Sequence, residues 1–252
     1  MDIDAIISAL NISPDDKVQP ARMLHYLELI RYWGIRPRSR VLVINGKDRD
    51  LSAVLAHTVG DQSCVHSIDL CHGVPDDDAE FGTDAFDYIV LSHCLWYLSG
   101  YDELVALLRR VSQWGKRLCI AEWDPRLRDP GQLPHLQAVT IQAVCQSYCQ
   151  DARLNIRTMI YPQEIDFAVL EGGWSLEHSE SLPADKLQDG IREVRTAQEL
   201  CPRLIGCSSM PENLKRLLFA QLSELDCCTT ASSLPVYCAK ASRYTPKHFH
   251  NS

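Results

Sequence analysis

Two short stretches concentrate the side chains that can do chemistry. His93, Cys94, Trp96 and Tyr97 fall within VLSHCLWYL, and Glu122, Trp123 and Asp124 within IAEWD. Each stretch follows an apolar run that reads as a buried strand, and open α/β sheets bind ligands beyond the carboxyl ends of their strands. His135 stands at the start of the next helix, near enough in sequence to fold over the same crevice. His93, Glu122, Asp124 and His135 are the candidate catalytic groups. Cys94, Trp96, Tyr97 and Trp123 are the candidate substrate wall. Such a set suits proton transfer on a small, partly aromatic, hydrophobic metabolite, because imidazole titrates near neutrality and burial lifts a carboxyl such as Glu122 toward that range. Plainer uses stand beside this one. His93 can bond backbone at a strand end, Glu122 and Asp124 can cap the turn or pair with Arg126 and Arg128, and the aromatics can pack a rim.

The elements that must position these groups alternate. Residues 19–34 carry Met23, Leu27, Ile30 and Trp33 at helical spacing, with Gly34 as a stop. A buried strand follows over 41–44, then a helix over 50–59 that ends at Gly60, and a short strand VHSID that closes on Asp69. FDYIVLS, an amphipathic helix over 101–113 and RLCIAEWD complete a β-α-β-β-α-β order, the pattern of a parallel sheet with crossover helices. Farther on, the sequence predicts helices over 134–150 and from Pro162 to Gly172, a strand over 174–181, a helix over 211–226 and a last strand over 235–242. The last two strands flank a helical insertion, 183–227, and are expected to pair antiparallel at a sheet edge. One domain over 1–242 is expected, with N-terminal helices in 1–39 and a disordered tail over 243–252.

Composition narrows the classes of function. The 252 residues hold 25 Lys plus Arg against 33 Asp plus Glu, a formal net charge of −8. That balance argues against a nucleic-acid surface, which needs clustered cations. No apolar run approaches the ~18–20 residues that cross a bilayer. The N-terminus carries acids where a secretory signal carries bases. The expectation is a cytoplasmic protein with no membrane partner and with a homodimer as one option. Eleven cysteines contain no C-x-x-C pair and no second half at zinc spacing, so they read as reduced, buried thiols rather than a metal site.

Several segments together carry a family resemblance. YWGIRPRSRVLVI, LSAVLAHTVG, VHSIDL, FDYIVLSHCLWYL, RRVSQWGKRLCIAEWD and a GGW before the next strand stand in the order and spacing of class I S-adenosylmethionine-dependent methyltransferases. The chain resembles especially the small-molecule type found in fungal metabolism, over roughly residues 20–182 plus the final strand. The resemblance implies a Rossmann-like α/β methyltransferase fold. It also implies a glycine-rich turn after the first strand where the donor's methionine part lies, an acid after the second strand for the ribose, and a third strand that clamps the adenine.

The acid is present as Asp69, although it is equally readable as a surface acid. The G-x-G-x-G turn is replaced by Asn45-Gly46-Lys47-Asp48-Arg49, which brings long cationic side chains to the place of a cationic sulfonium. Asn45 tolerates a left-handed backbone. Residues 70–85, rich in Gly, Pro and Asp, are too few for a helix, the third strand and their connections. Asn45, Gly46 and Asp69 are therefore the remnant of a cofactor site that is shortened around the third strand. The leading expectation is a small-molecule enzyme that keeps the fold but uses no cofactor, doing acid–base chemistry of the cyclisation, isomerisation or elimination kind. The alternatives are a divergent methyltransferase that uses S-adenosylmethionine on an oxygen or nitrogen of a small metabolite, and a non-catalytic binding protein.

Overall fold

In a computed structural model the protein is described over residues 18–46, 50–70, 81–149, 151, 153–154 and 156–244. Lys47 to Arg49, residues 71–80, the first 17 residues and the tail beyond Tyr244 lie outside the described residues. The expectations placed on them lie outside as well.

Helix α1 (Val18–Trp33) ends at Gly34, whose φ of +69° is a left-handed stop that suits glycine. Strand β1 (Val41–Asn45) is buried along its whole length. Helix α2 (Asp50–Val59) and strand β2 (Val65–Asp69) follow, then β3 (Phe86–Ser92), α3 (Tyr101–Trp114) and β4 (Gly115–Trp123). Helix α3 buries Leu104, Leu107, Leu108 and Val111 on one stripe, the spacing its sequence announces. Beyond β4 come α4 (Leu133–Cys149), α5 (Pro162–Glu171), β5 (Trp174–Leu182), α6 (Asp189–Cys207), α7 (Glu212–Asp226) and β6 (Val236–Arg243).

The six strands form one sheet in the order β2-β1-β3-β4-β6-β5. The pairs β1–β2, β1–β3 and β3–β4 are parallel. Strand β6 runs antiparallel to both neighbours, β4 and β5, so the expected antiparallel pair is present with its later strand on the inside. Strand β6 extends through Arg243, and the Tyr244 amide bonds the Gly173 carbonyl. Among the described residues no strand flanks β2 on its outer side.

Side-chain alternation splits the core across the sheet. Leu42, Ile44, Ile89, Leu91, Leu118 and Ile120 face α3 and α5. Val41, Val43, Tyr88, Val90, Cys119 and Ala121 face α1 and α2. A third apolar cluster joins α4, α6 and α7 through Ala138, Ile141, Cys145, Val194, Ala197, Cys201 and Leu222. This helical cap lies over the carboxyl ends of β3 and β4. Among the described residues no helix is long and apolar enough to cross a membrane.

Candidate functional site

A cavity of about 360 Å³ opens where the carboxyl ends of β1, β3 and β4 meet α1 and the cap. His93, Trp96, Tyr97, Glu122, Trp123 and His135 all reach its wall, together with Asn45 and Gly46. His93 follows β3 directly and has φ of +49°, the left-handed region that non-glycine residues rarely occupy. Its amide is tied to the Ala121 carbonyl at 2.8 Å. The imidazole Nε2 lies 3.3 Å from Nε2 of His25 on α1, so one ring donates and the other accepts. Its Nδ1 lies 4.0 Å from Oε1 of Glu122 and has no hydrogen-bond partner among the described residues.

His135 is fully buried near the start of α4. Its Nδ1 accepts the Leu234 amide N–H at 2.9 Å, which assigns the neutral ring's proton to Nε2. That Nε2 is buried and unpartnered among the described residues, and the ring lines the cavity. The Trp123 ring stands between the two histidines, 4.6 Å from the His93 ring and 5.3 Å, edge-on, from that of His135. Ser92 Oγ is a further buried, unpartnered atom on the wall.

The electrostatics follow from dryness. Burial pulls His25, His93 and His135 down to about 3, so all three are neutral at physiological pH. For His93 the guanidiniums of Arg192 and Arg22 add to burial, and for His135 Arg192 and His93 do. Burial pushes Glu122 up to about 7, against backbone N–H groups of Trp123, Leu95, Trp96 and Cys94 that favour its anion. The Leu95 N–H reaches Oε2 at 2.7 Å and the Trp123 N–H reaches Oε1 at 2.9 Å. Glu122 thus anchors the short 3₁₀ turn Leu95–Tyr97 while lying beside His93.

Two expected residues do not join the cavity wall. Asp124 is buried, but it makes a paired contact with Arg126, at 2.8 Å to Nε and 2.7 Å to Nη2, and accepts the Ser181 hydroxyl. The Arg126 amide also donates to Oδ1 at 3.0 Å, which holds the carboxylate on the segment just past β4. The ion pair and hydrogen bonds hold Asp124 below the usual carboxylate range despite its burial. Cys94 is wholly buried and donates its thiol to the Ile44 carbonyl at 3.3 Å, behind the wall. Trp96 reaches the cavity while its Nε1 is fixed to the Ile160 carbonyl at 3.2 Å. His25, Arg22, Ser92 and Arg192 are wall residues that spacing did not single out. Among the described residues no group of three or more His, Cys, Asp or Glu is arranged to hold a metal ion.

No protein-family model matches the chain. A curated relative, the ubiquinone/menaquinone biosynthesis C-methyltransferase UbiE of Vibrio campbellii, is 28 % identical over 119 residues. The match takes in 38 % of this chain and 46 % of that protein, so it spans about half the relative's length. The structure of a cyclopropane-fatty-acyl-phospholipid synthase-like protein from Lactobacillus casei has a TM-score of 0.78 at 21 % identity, covering 95 % of this chain and 98 % of that one. Geranyl diphosphate C-methyltransferase from Streptomyces coelicolor A3(2) gives a TM-score of 0.48 at 14 % identity, with 92 % and 88 % covered. The chain has a Rossmann-like methyltransferase fold.

That fold implies S-adenosylmethionine, and the described residues can be tested for it. Asp69 is exposed at the end of β2, directly opposite Asn45 of β1 in the parallel register, as a ribose acid would be. Asn45 and Gly46 line the cavity beside it. A Cβ built on Gly46 would lie 2.6 Å from Cε2 and 3.3 Å from the hydroxyl of Tyr97, so the Tyr97 ring rests against this backbone. Of the three glycine positions of the family's turn only the first, Asn45, lies within the described residues.

Proposed function

We propose that the chain is a small-molecule enzyme that uses the methyltransferase fold for acid–base chemistry without S-adenosylmethionine. The observation that carries the reading is His135, whose tautomer the Leu234 amide sets and whose buried Nε2–H, on the cavity side of α4, has no partner among the described residues. A neutral N–H in such a place is a donor for a carbonyl oxygen, and its bond strengthens as that oxygen gains charge. Trp96, Trp123 and Val139 supply apolar walls, and Arg22, Gln142, Arg192 and Glu193 line the same cavity, so the substrate class is a compact carbonyl compound with both an apolar and a polar part.

The chemistry is then enolisation. His93 donates Nε2–H to His25 and keeps a lone pair on Nδ1. The Glu122 carboxylate, pushed up to about 7 and on the cavity wall, takes a proton from the carbon beside the carbonyl, and the C–H electron pair moves onto the oxygen held by His135. His93 Nδ1 lies 4.0 Å from Oε1 of the carboxyl so formed. Return of the proton to another carbon gives isomerisation, departure of a β-substituent with its bonding pair gives elimination, and attack of the enolate carbon on an electrophilic carbon of the same molecule gives ring closure. The test is deuterium uptake from D₂O into an enolisable aryl 1,3-diketone, followed by mass spectrometry. Wild type is expected to exceed buffer by about 10²–10⁴-fold, and both Glu122→Gln and His135→Ala to lose that gain. Equal uptake in wild type and in the two variants would overturn the assignment.

A second reading, methyl transfer to a small metabolite, is supported by Asp69 opposite Asn45 and by the partial match to a C-methyltransferase. Calorimetry with S-adenosylmethionine and its demethylated product separates the two. Micromolar binding by wild type favours methylation.

A further inference from the structure

We propose that Cys145 and Cys201 are a redox site: a thiol pair across the seam of α4 and α6 that a peroxide converts to a disulfide, clamping the cap. The site stands apart from the acid–base reading above, since both residues lie in the apolar cluster of the cap. Helices α4 and α6 run side by side in the same direction. Gln142 Nε2 donates to the Glu193 carbonyl at 3.2 Å, and two turns farther on the Cys149 thiol donates to the Leu204 carbonyl at 3.4 Å. A cysteine side chain is short, so that bond brings the two backbones close. Between these crossings Cys145 and Cys201 are wholly buried and face each other, thiol hydrogen-bonded to thiol. Sulfurs already within hydrogen-bond reach need only a small further approach to bond.

Hydrogen peroxide is the oxidant that such burial admits, because it is hardly larger than water. Its way in is the end of α4, where Cys149, the last residue of the helix, is half-buried and stands one turn from Cys145. The hydrogen bond with Cys201 holds the Cys145 thiol below the usual thiol range, which favours the thiolate that attacks. The Cys145 thiolate bonds one peroxide oxygen, the O–O bond breaks, and the hydroxide that leaves takes up the proton Cys145 lost, as water. The Cys201 sulfur then attacks the sulfenic sulfur, the S–O bond breaks, and the hydroxyl departs as water with the Cys201 proton. Two thiols are oxidised to one disulfide and one peroxide is reduced to two waters. The N-terminal halves of the same helices carry His135, Val139 and Gln142, and Arg192, Glu193 and Thr196, all on the cavity wall. A bond between the far halves holds these two walls together, so the state of the pair sets how freely the cap parts.

The experiment treats the folded chain with hydrogen peroxide, alkylates the remaining thiols and digests with trypsin for mass spectrometry. Wild type, and the double variant Cys149→Ser with Cys207→Ser, are expected to give residues 129–153 joined to residues 196–203. The joined pair should be two hydrogens lighter than the separate peptides and released by dithiothreitol. In the double variant each of these peptides holds a single cysteine, so the bridge identifies the pair. Cys145→Ala and Cys201→Ala should each lose it. Bridged wild type should also melt above the reduced protein, by at least about 3 °C. A folded wild type that forms no bridge at millimolar peroxide, or a bridge that survives in Cys145→Ala, would overturn the pair. An unchanged or lower melting temperature in the bridged protein would overturn the clamp.

Discussion

The two sides of one sheet edge differ in their cover. At the β3–β4 side the strand ends lie under α4 and α6, with Glu122 and His135 buried and His93 only partly exposed. At the β2 side the same edge is open: His66, Ser67 and Asp69 are exposed, and β2 has a neighbour on one side only among the described residues. Both sides come from the same parallel strands with the same polarity. The difference lies in the helices laid across them, and the shifted titrations follow the cover. A fold that usually divides its edge between donor and acceptor has here invested its burial in one half.

The largest test of this contrast is acid stability. Each of His25, His93 and His135 has a pKa near 3 when folded against 6.5 when unfolded, so between those values it gains its proton on unfolding. That favours the unfolded chain as pH falls. Glu122, near 7 when folded and 4.5 when unfolded, binds its proton in the folded state and acts oppositely. Three against one leaves about two protons, so urea-unfolding free energies should drop by about 3 kcal/mol per pH unit from pH 6 toward 4.5. A flat profile would show that the cap does not keep these imidazoles dry.

Next in size is Gly190→Ala, at the foot of the cap helix α6. The added methyl would meet the Ser232 and Ala231 carbonyl oxygens at 2.6 and 2.7 Å, and backbone yields less readily than side chains. A loss of about 2–4 kcal/mol in the same assay is expected. Glu122→Gln removes an opposing titration, so the acid slope should steepen by about 1 kcal/mol per pH unit. The smallest effects belong to the open half. Asp69→Asn, on an exposed strand end, should change stability by less than about 0.5 kcal/mol.

Much of the frame is legible in the sequence because prolines and glycines mark its boundaries. Pro162 and Gly172 bracket α5, Gly34 and Gly60 close α1 and α2, and these ends fall within a residue or two of the reading. His93, Glu122, Trp123 and His135 converge as strand order and chain reversal require. Asp124 was less legible, because a residue at a strand end faces the cleft only if the next turn allows it. Arg126 pairs with this one instead. His25 escaped notice for a different reason: it comes from α1, and its approach to His93 within 3.3 Å depends on packing between segments 68 residues apart. Tyr97 shows the same limit. Its type suggested a wall, but only the three-dimensional turn shows that it rests on Gly46.

The placement of β6 has a consequence for how the protein is made. This interior strand pairs Val236 with Trp123 on one side and with Leu182 on the other, and it lies in the chain after all three cap helices. On a ribosome the first four strands emerge and pair while the outer flank of β4 is still bare. The nascent sheet must therefore wait for α6 and α7 to be translated before it can be zipped shut, which makes closure a late, long-range step.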